Sequence, residues 1–180
     1  MKKYELTAEF IEQWGKKLFR IKALISFGSV EAGELGGYVE KEDNLAQDGN
    51  AWVYDDAWVY GDAEVCDDAR VYGNARVCDD AWVYGDAEVC GNAEVCGNAE
   101  VCGNADYLLI GRIGSRFSFT TFFKNKDKGI TVSCGCFLGT IAEFRAKVTD
   151  DLRAVTAREI FNNFKRLQDK EYVSISSEQE

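Results

Sequence analysis

Histidine and proline are both absent from the 180 residues. Without histidine, the chain has no side chain whose ordinary pKa suits it to act as a general base near neutral pH. Without proline, sharp corners must come from glycine, asparagine or aspartate, which tolerate left-handed backbone. No apolar run approaches the roughly 18 residues of a bilayer-spanning helix, so no membrane contact is expected. Met1-Lys2-Lys3 is not followed by the apolar core of a secretory leader, and export is not expected. Seven cysteines are present, an odd number, and without an export signal they are read as reduced thiols of a cytoplasmic protein. Positive charge is scarce in one place. Residues 47–106 hold fourteen Asp and Glu against Arg70 and Arg76, a net of −12, whereas the remainder holds seventeen acids against nineteen bases, a net of +2.

That acidic stretch is ten consecutive six-residue units. Valine recurs at 53, 59, 65, 71, 77, 83, 89, 95 and 101, alanine follows each valine by four places, and Asp or Asn precedes each alanine. Only the first unit, Gln47 to Trp52, lacks its valine. A strict short period specifies a solenoid. Six residues do not match helical spacing, and Gly-Asp or Gly-Asn pairs are turn chemistry, so each unit is a short strand and a corner. Three units close an eighteen-residue coil, and the outward residues support that choice. Read eighteen apart, Trp52, Arg70 and Glu88 fall in one column and Trp58, Arg76 and Glu94 in another. With strands about 4.8 Å apart, each arginine then lies between an indole and a carboxylate. The valines form three inner columns, the alanines fill the tight corners, and Cys78 over Cys96 is the one stacked cysteine pair.

The pattern Val-x-(Gly/Asp)-(Asp/Asn)-Ala-x resembles the hexapeptide repeat of left-handed parallel β-helices, best known from bacterial acyltransferases. It departs from that family in placing Tyr or Cys after each valine. The flanks Leu35-Gly36-Gly37-Tyr38-Val39-Glu40, Ile113-Gly114-Ser115-Arg116 and Cys134-Gly135-Cys136-Phe137 resemble uncharacterised proteins of phages and Gram-positive bacteria. The resemblance implies a mostly β fold and a mobile-element setting, without an activity. Acyltransferases of this fold generally use a histidine base and loops extended from the coils. Here there is no histidine, and the units run without insertion from Gln47 to Asp106. The ice-binding version of the fold needs outward threonine ladders, and the repeats contain no threonine.

The expected architecture is therefore a left-handed parallel β-helix over 35–106, with an N-terminal α+β cap over 1–34. A ββαα C-terminal cap is expected over 107–173, and a disordered tail over 174–180. In the first cap, Thr7 is expected to start a short helix through Trp14, and Leu18–Ile25 to form a strand. Leu35, eighteen residues before Val53, is expected to open an irregular first coil. Tyr107–Ile110 reads as a buried strand continuing the last coil. Phe119–Lys124 and Ile130–Cys136 read as a hairpin, Thr140–Glu143 as a capping box, and 150–167 as a second helix.

No catalytic residue, metal or cofactor is called for by these residues, and the expected role is non-enzymatic. The principal reading is an acidic rod whose Trp52, Trp58, Trp82, Tyr54, Tyr60, Tyr72 and Tyr84 interleave with Glu88, Glu94 and Glu100. Such a surface suits a host protein with a basic, nucleic-acid-binding face, through mimicry of nucleic acid rather than direct contact with it. A homo-oligomer is left open. An alternative site lies in the C-terminal cap. There Arg112, Ser115, Arg116, Thr120, Thr121, Cys134, Cys136 and the helix start at Thr140 would hold a phosphorylated or nucleotide-like ligand. A divergent acyltransferase is the remaining alternative.

Overall fold

A computed structural model describes residues 2–113 and 118–147, side chains at 105 and 111–118 excepted. The repeats form nine two-residue strands. These are β4 (Trp52–Val53), β5 (Trp58–Val59), β6 (Glu64–Val65), β7 (Arg70–Val71) and β8 (Arg76–Val77), followed by β9 (Trp82–Val83), β10 (Glu88–Val89), β11 (Glu94–Val95) and β12 (Glu100–Val101). They stack in parallel as β4-β7-β10, β5-β8-β11 and β6-β9-β12. Partners are eighteen residues apart, with Val53, Val71 and Val89 in register on one face, and Val59, Val77 and Val95 on the next. All nine valines are fully buried. The protein is a β-solenoid with three hexads per coil.

The corners explain the Gly/Asp alternation at the third position of each unit. Every such residue from Gly49 to Gly97 has positive φ, including Asp55, Asp67 and Asp79 at 53°, 59° and 60°. A side chain is tolerated there only in a special way. The Asp55, Asp67 and Asp79 carboxylates accept the backbone N–H of Gly73, Gly85 and Gly97, one coil further on, at 3.0–3.1 Å. At Gly49 and Gly85 glycine is required because the coil backbones approach too closely. A Cβ on Gly49 would lie 2.4 Å from the Asp67 carbonyl oxygen.

The N-terminal cap departs from expectation. No helix follows Thr7; β1 (Tyr4–Gln13) and β2 (Lys16–Ala23) form an antiparallel hairpin. Its two-residue turn is Trp14-Gly15, both at positive φ, the geometry that matches strand twist. Leu6, Phe10, Ile11 and Trp14 imitate helical spacing because β1 carries a bulge. Leu6 pairs with Ile21 and Phe10 with Phe19, so three residues between the pairs oppose one. The hairpin then pairs with β3 (Leu35–Val39), which runs parallel to β5, giving the sheet β1-β2-β3-β5-β8-β11.

Leu35 does not stack on Val53; it is 54% exposed and pairs with Lys22. Val39 lies on Val59 and Leu45 on Val65, both twenty residues apart. Leu45, fully buried, fills the valine place, and the corner after it is two residues longer than the repeat. Gln47 contributes its side-chain oxygen to the Lys3 N–H instead.

At the other end, β13 (Tyr107–Ile113), β14 (Ser118–Lys124), β15 (Ile130–Cys134) and β16 (Phe137–Thr140) form a separate antiparallel meander. Thus β13 pairs with β14 and does not continue the last coil. Strands β14 and β15 pair as a hairpin over 118–134, where the sequence predicts 119–124 and 130–136, and the sheet has four strands rather than two. Helix α1 (Ile141–Lys147) begins at the Thr140–Glu143 capping box, with reciprocal bonds of 2.8 and 3.3 Å. The expected second helix and tail lie outside the described residues. Along β14, Thr121 and Phe123 face the solenoid, whereas Phe122 joins Val132 and Phe144 in a second small core.

Candidate interaction surface

Each unit directs its valine inward and the residues on either side outward, so the aromatic and acidic positions should all be surface. Trp52 is the exception. It is fully buried, with its ring edge-on to Tyr4 at 6.0 Å and to Phe27 at 5.4 Å. Its indole N–H has no hydrogen-bond partner among the described residues. Trp52 is thus the plug of the N-terminal mouth and no part of a binding surface. The reason is positional: it stands in the first coil, where the cap folds over what would otherwise be the outer face.

The remaining aromatics fall into three groups, one per face. On the first, Trp58 and Tyr60 lie beneath Trp14, with centroids 5.9 Å apart in both cases. Arg76 sits 4.8 Å from the Trp58 ring and 5.5 Å from Trp14, so the predicted cation–π stack is present and is doubled by a residue from the hairpin. Sequence reasoning missed Trp14, although a Trp-Gly pair between alternating residues is itself a hairpin signal. On the second face, Tyr54, Arg70, Tyr72, Glu88 and Ser29 line a shallow groove. Arg70 pairs with Glu88 at 3.3 Å, since Trp52 is withdrawn. Hydrogen bonding to Cys90, and then burial, push the Tyr72 hydroxyl up to about 12. On the third face Trp82 stacks on Tyr84 at 4.3 Å and donates its N–H to the Cys66 sulfur.

The three expected glutamates are not free charges. Glu88 accepts from Arg70 and Tyr72, Glu100 accepts the Tyr84 hydroxyl at 2.9 Å, and Glu94 accepts from Ser133. Most of the acids without an ion-pair partner among the described residues are corner aspartates: Asp55, Asp67, Asp68, Asp79, Asp80 and Asp86. Of the fourteen carboxylates in 47–106, only Asp56, Asp62, Glu88 and Asp106 take part in ion pairs among the described residues, leaving ten that do not. Asp68, Asp80 and Asp86 lie at the corner place that Asn74, Asn92, Asn98 and Asn104 occupy in other units.

The expected ligand site in the C-terminal cap is not assembled among the described residues. Thr121 faces the solenoid and accepts the Glu94 N–H at 3.0 Å, whereas Thr120 points the other way, to the Cys134 sulfur at 3.1 Å. Both threonines are buried. Cys134 and Cys136 do not share a strand face, because Cys134 pairs with Phe137 across a Gly135-Cys136 turn. The start of α1 already holds a carboxylate: Glu143 accepts both the backbone N–H and the hydroxyl of Thr140. A phosphate there would meet that negative charge. The Arg112 side chain, Ser115 and Arg116 lie outside the described residues.

This geometry defines a hexapeptide-repeat β-solenoid protein. A family model described as the YdcK β-solenoid repeat matches residues 63–79 and, one unit on, 69–85. The uncharacterized acetyltransferase YdcK of Escherichia coli is 39% identical over 74 residues, which is 36% of this chain and 23% of that protein. The chain thus spans less than a quarter of that relative's length. Among the described residues, no helix is long and apolar enough to cross a membrane.

Proposed function

We propose that the chain is a non-enzymatic binding module that presents an acidic corner surface to a basic macromolecular partner. The observation supporting this reading is the set of ten repeat carboxylates without ion-pair partners among the described residues, six of them corner aspartates. The eighteen-residue register puts Asp68 and Asp86 one strand spacing apart, and a cationic surface would relieve the repulsion between such stacked charges. The aromatic groups beside them supply apolar contact area. In the mobile-element setting that the flanks suggest, the partner is a host protein that ordinarily holds nucleic acid, met in a reducing cytoplasm.

The test uses Asp68, Asp80 and Asp86 changed together to Asn, the residue the repeat itself uses at equivalent corners. Captures from lysate across a salt series should show proteins with basic surfaces binding wild type. That binding should weaken steeply with salt, because exposed charges are screened beyond about 8–10 Å at physiological ionic strength. The triple variant should lose most of this capture while melting like wild type. Capture unaffected by both salt and the triple change would defeat the proposal. The name of the Escherichia coli relative motivates one further arm. Saturable binding of acetyl coenzyme A to the isolated chain would move the reading to acyl transfer, with a base other than histidine.

A further inference from the structure

The position after each valine forms three outward columns of Tyr and Cys, and only one brings sulfur over sulfur. That column is Tyr60, Cys78, Cys96, set by the in-register pairing of Val59, Val77 and Val95. Cys78 and Cys96 are 5% and 6% exposed. The corner residue that follows, Asp79, is exposed and turns its carboxylate back toward them. The two sulfurs and a carboxylate oxygen all lie within 4.8 Å of one another. No other group of three or more Cys, Asp or Glu donors among the described residues converges this closely.

We propose that Cys78, Cys96 and Asp79 form a binding site for a thiophilic divalent cation of the zinc class, with its remaining coordination position open to solvent. The donor set favours such an ion, because thiolate sulfur selects soft or borderline metals over magnesium or calcium. Zn–S bonds of about 2.3 Å place two bound sulfurs roughly 3.8 Å apart, so small side-chain rotations bring these donors onto one ion. Two thiolates and a carboxylate carry three negative charges, which a divalent ion offsets in part.

The donors are also held in place before any ion arrives. The backbone N–H of Cys78 bonds to the Val95 carbonyl at 3.0 Å. Asp79 is fixed by its left-handed corner, and one carboxylate oxygen accepts the Gly97 N–H at 3.0 Å. That bond is the kind of outer support that orients a ligating carboxylate. On binding, the cation displaces the thiol protons, which pass to solvent. The other repeat cysteines are engaged elsewhere: Cys66 by Trp82, Cys90 by Tyr107 and Cys102 by Asp106.

The test titrates the full chain, reduced and in excess magnesium, with cobalt(II) and then with zinc. One equivalent of cobalt should produce a thiolate-to-metal charge-transfer band, and zinc should abolish it. Cys78→Ala and Cys96→Ala should each remove the band, and Cys90→Ala should leave it unchanged. Asp79→Asn should weaken zinc binding on the order of tenfold or more without altering the melt, since Asn suits the corner and keeps the oxygen that Gly97 needs. This variant keeps the proposal testable if an alanine variant fails to fold. A band that persists in Cys96→Ala, zinc affinity unchanged in Asp79→Asn, or no uptake above millimolar competition by magnesium would overturn the site.

Discussion

The two mouths of the solenoid are closed in different ways. At the N-terminal end the cap belongs to the ladder: β2 pairs with β3, and β3 pairs with β5, so one sheet runs from hairpin to last coil. At the C-terminal end the meander forms its own sheet and reaches the solenoid by other contacts. These are the Thr121 hydroxyl on the Glu94 N–H, Phe123 in the main core, an Ala99–Asn125 bridge, and the Lys126 N–H on the Asn98 carbonyl. The difference has a physical origin. A parallel coil exposes its edge donors and acceptors at both ends, and each end must be paired or covered. The first cap pairs one face and plugs the mouth; the second covers the mouth from above.

The plugs should break this comparison most visibly. Trp52→Ala removes the largest buried side chain of the N-terminal mouth and should cost about 3–5 kcal/mol in urea melts. The loss should spread, lowering hydrogen-exchange protection along the whole β5-β8-β11 face. Phe123→Ala should cost a similar or smaller amount, about 2–4 kcal/mol, with protection lost mainly in the meander. Equal spread from both changes would erase the distinction between the two caps.

The next effect belongs to Asp106, which is buried at the junction with the meander and paired with Lys124. Burial alone would raise its pKa; Lys124 and the Cys102 thiol and N–H outweigh this and hold it below the usual carboxylate range. A depressed carboxylate contributes stability above its unfolded pKa and loses it as pH falls through the folded one. Asp106→Asn should therefore cost about 1–3 kcal/mol at neutral pH and flatten the acid limb of the stability profile below about pH 4.

Lys3 at the N-terminal mouth gives the smallest signal, in the opposite direction. Its ammonium donates to the Asp48 and Ala51 carbonyls in a buried setting, and burial pulls its pKa down to about 8 against the attraction of Asp48. Between about pH 8 and 10 the unfolded chain binds the extra proton, so stability should rise with pH across that window. The rise should be on the order of 1 kcal/mol after solvent screening, and it should vanish in Lys3→Met. Above about pH 10 it should reverse, because burial and the nearby Glu42 and Asp43 hold Tyr4 neutral in the fold.

The caps were also where sequence and structure parted. Phe10 and Trp14 sit at helical spacing from Leu6, yet a bulge in a strand accommodates the same interval. Periodicity cannot separate these until a pairing partner is known. Leu35 matched the eighteen-residue count, but a corner lengthened by two residues shifted the first coil to Val39 and Leu45. The interaction surface was legible in part. Arg76 on Trp58 follows from register alone, whereas Trp14 above it comes from a distant hairpin.

By itself the sequence determined the coil: a repeat of one size, with one inward side chain and one left-handed corner per unit, admits only one in-register stack. That logic is local and recurs nine times, so nearest-neighbour contacts decide it. Only the tertiary structure decided what the ends do with the outward residues. Burying Trp52 while leaving Trp82 exposed, engaging Glu88, Glu94 and Glu100 while leaving Asp80 and Asp86 without ion-pair partners among the described residues, and bringing Asp79 to two sulfurs are the products. Each depends on which chain segment lies over a given face or how a corner carboxylate turns, and no six-residue period encodes either.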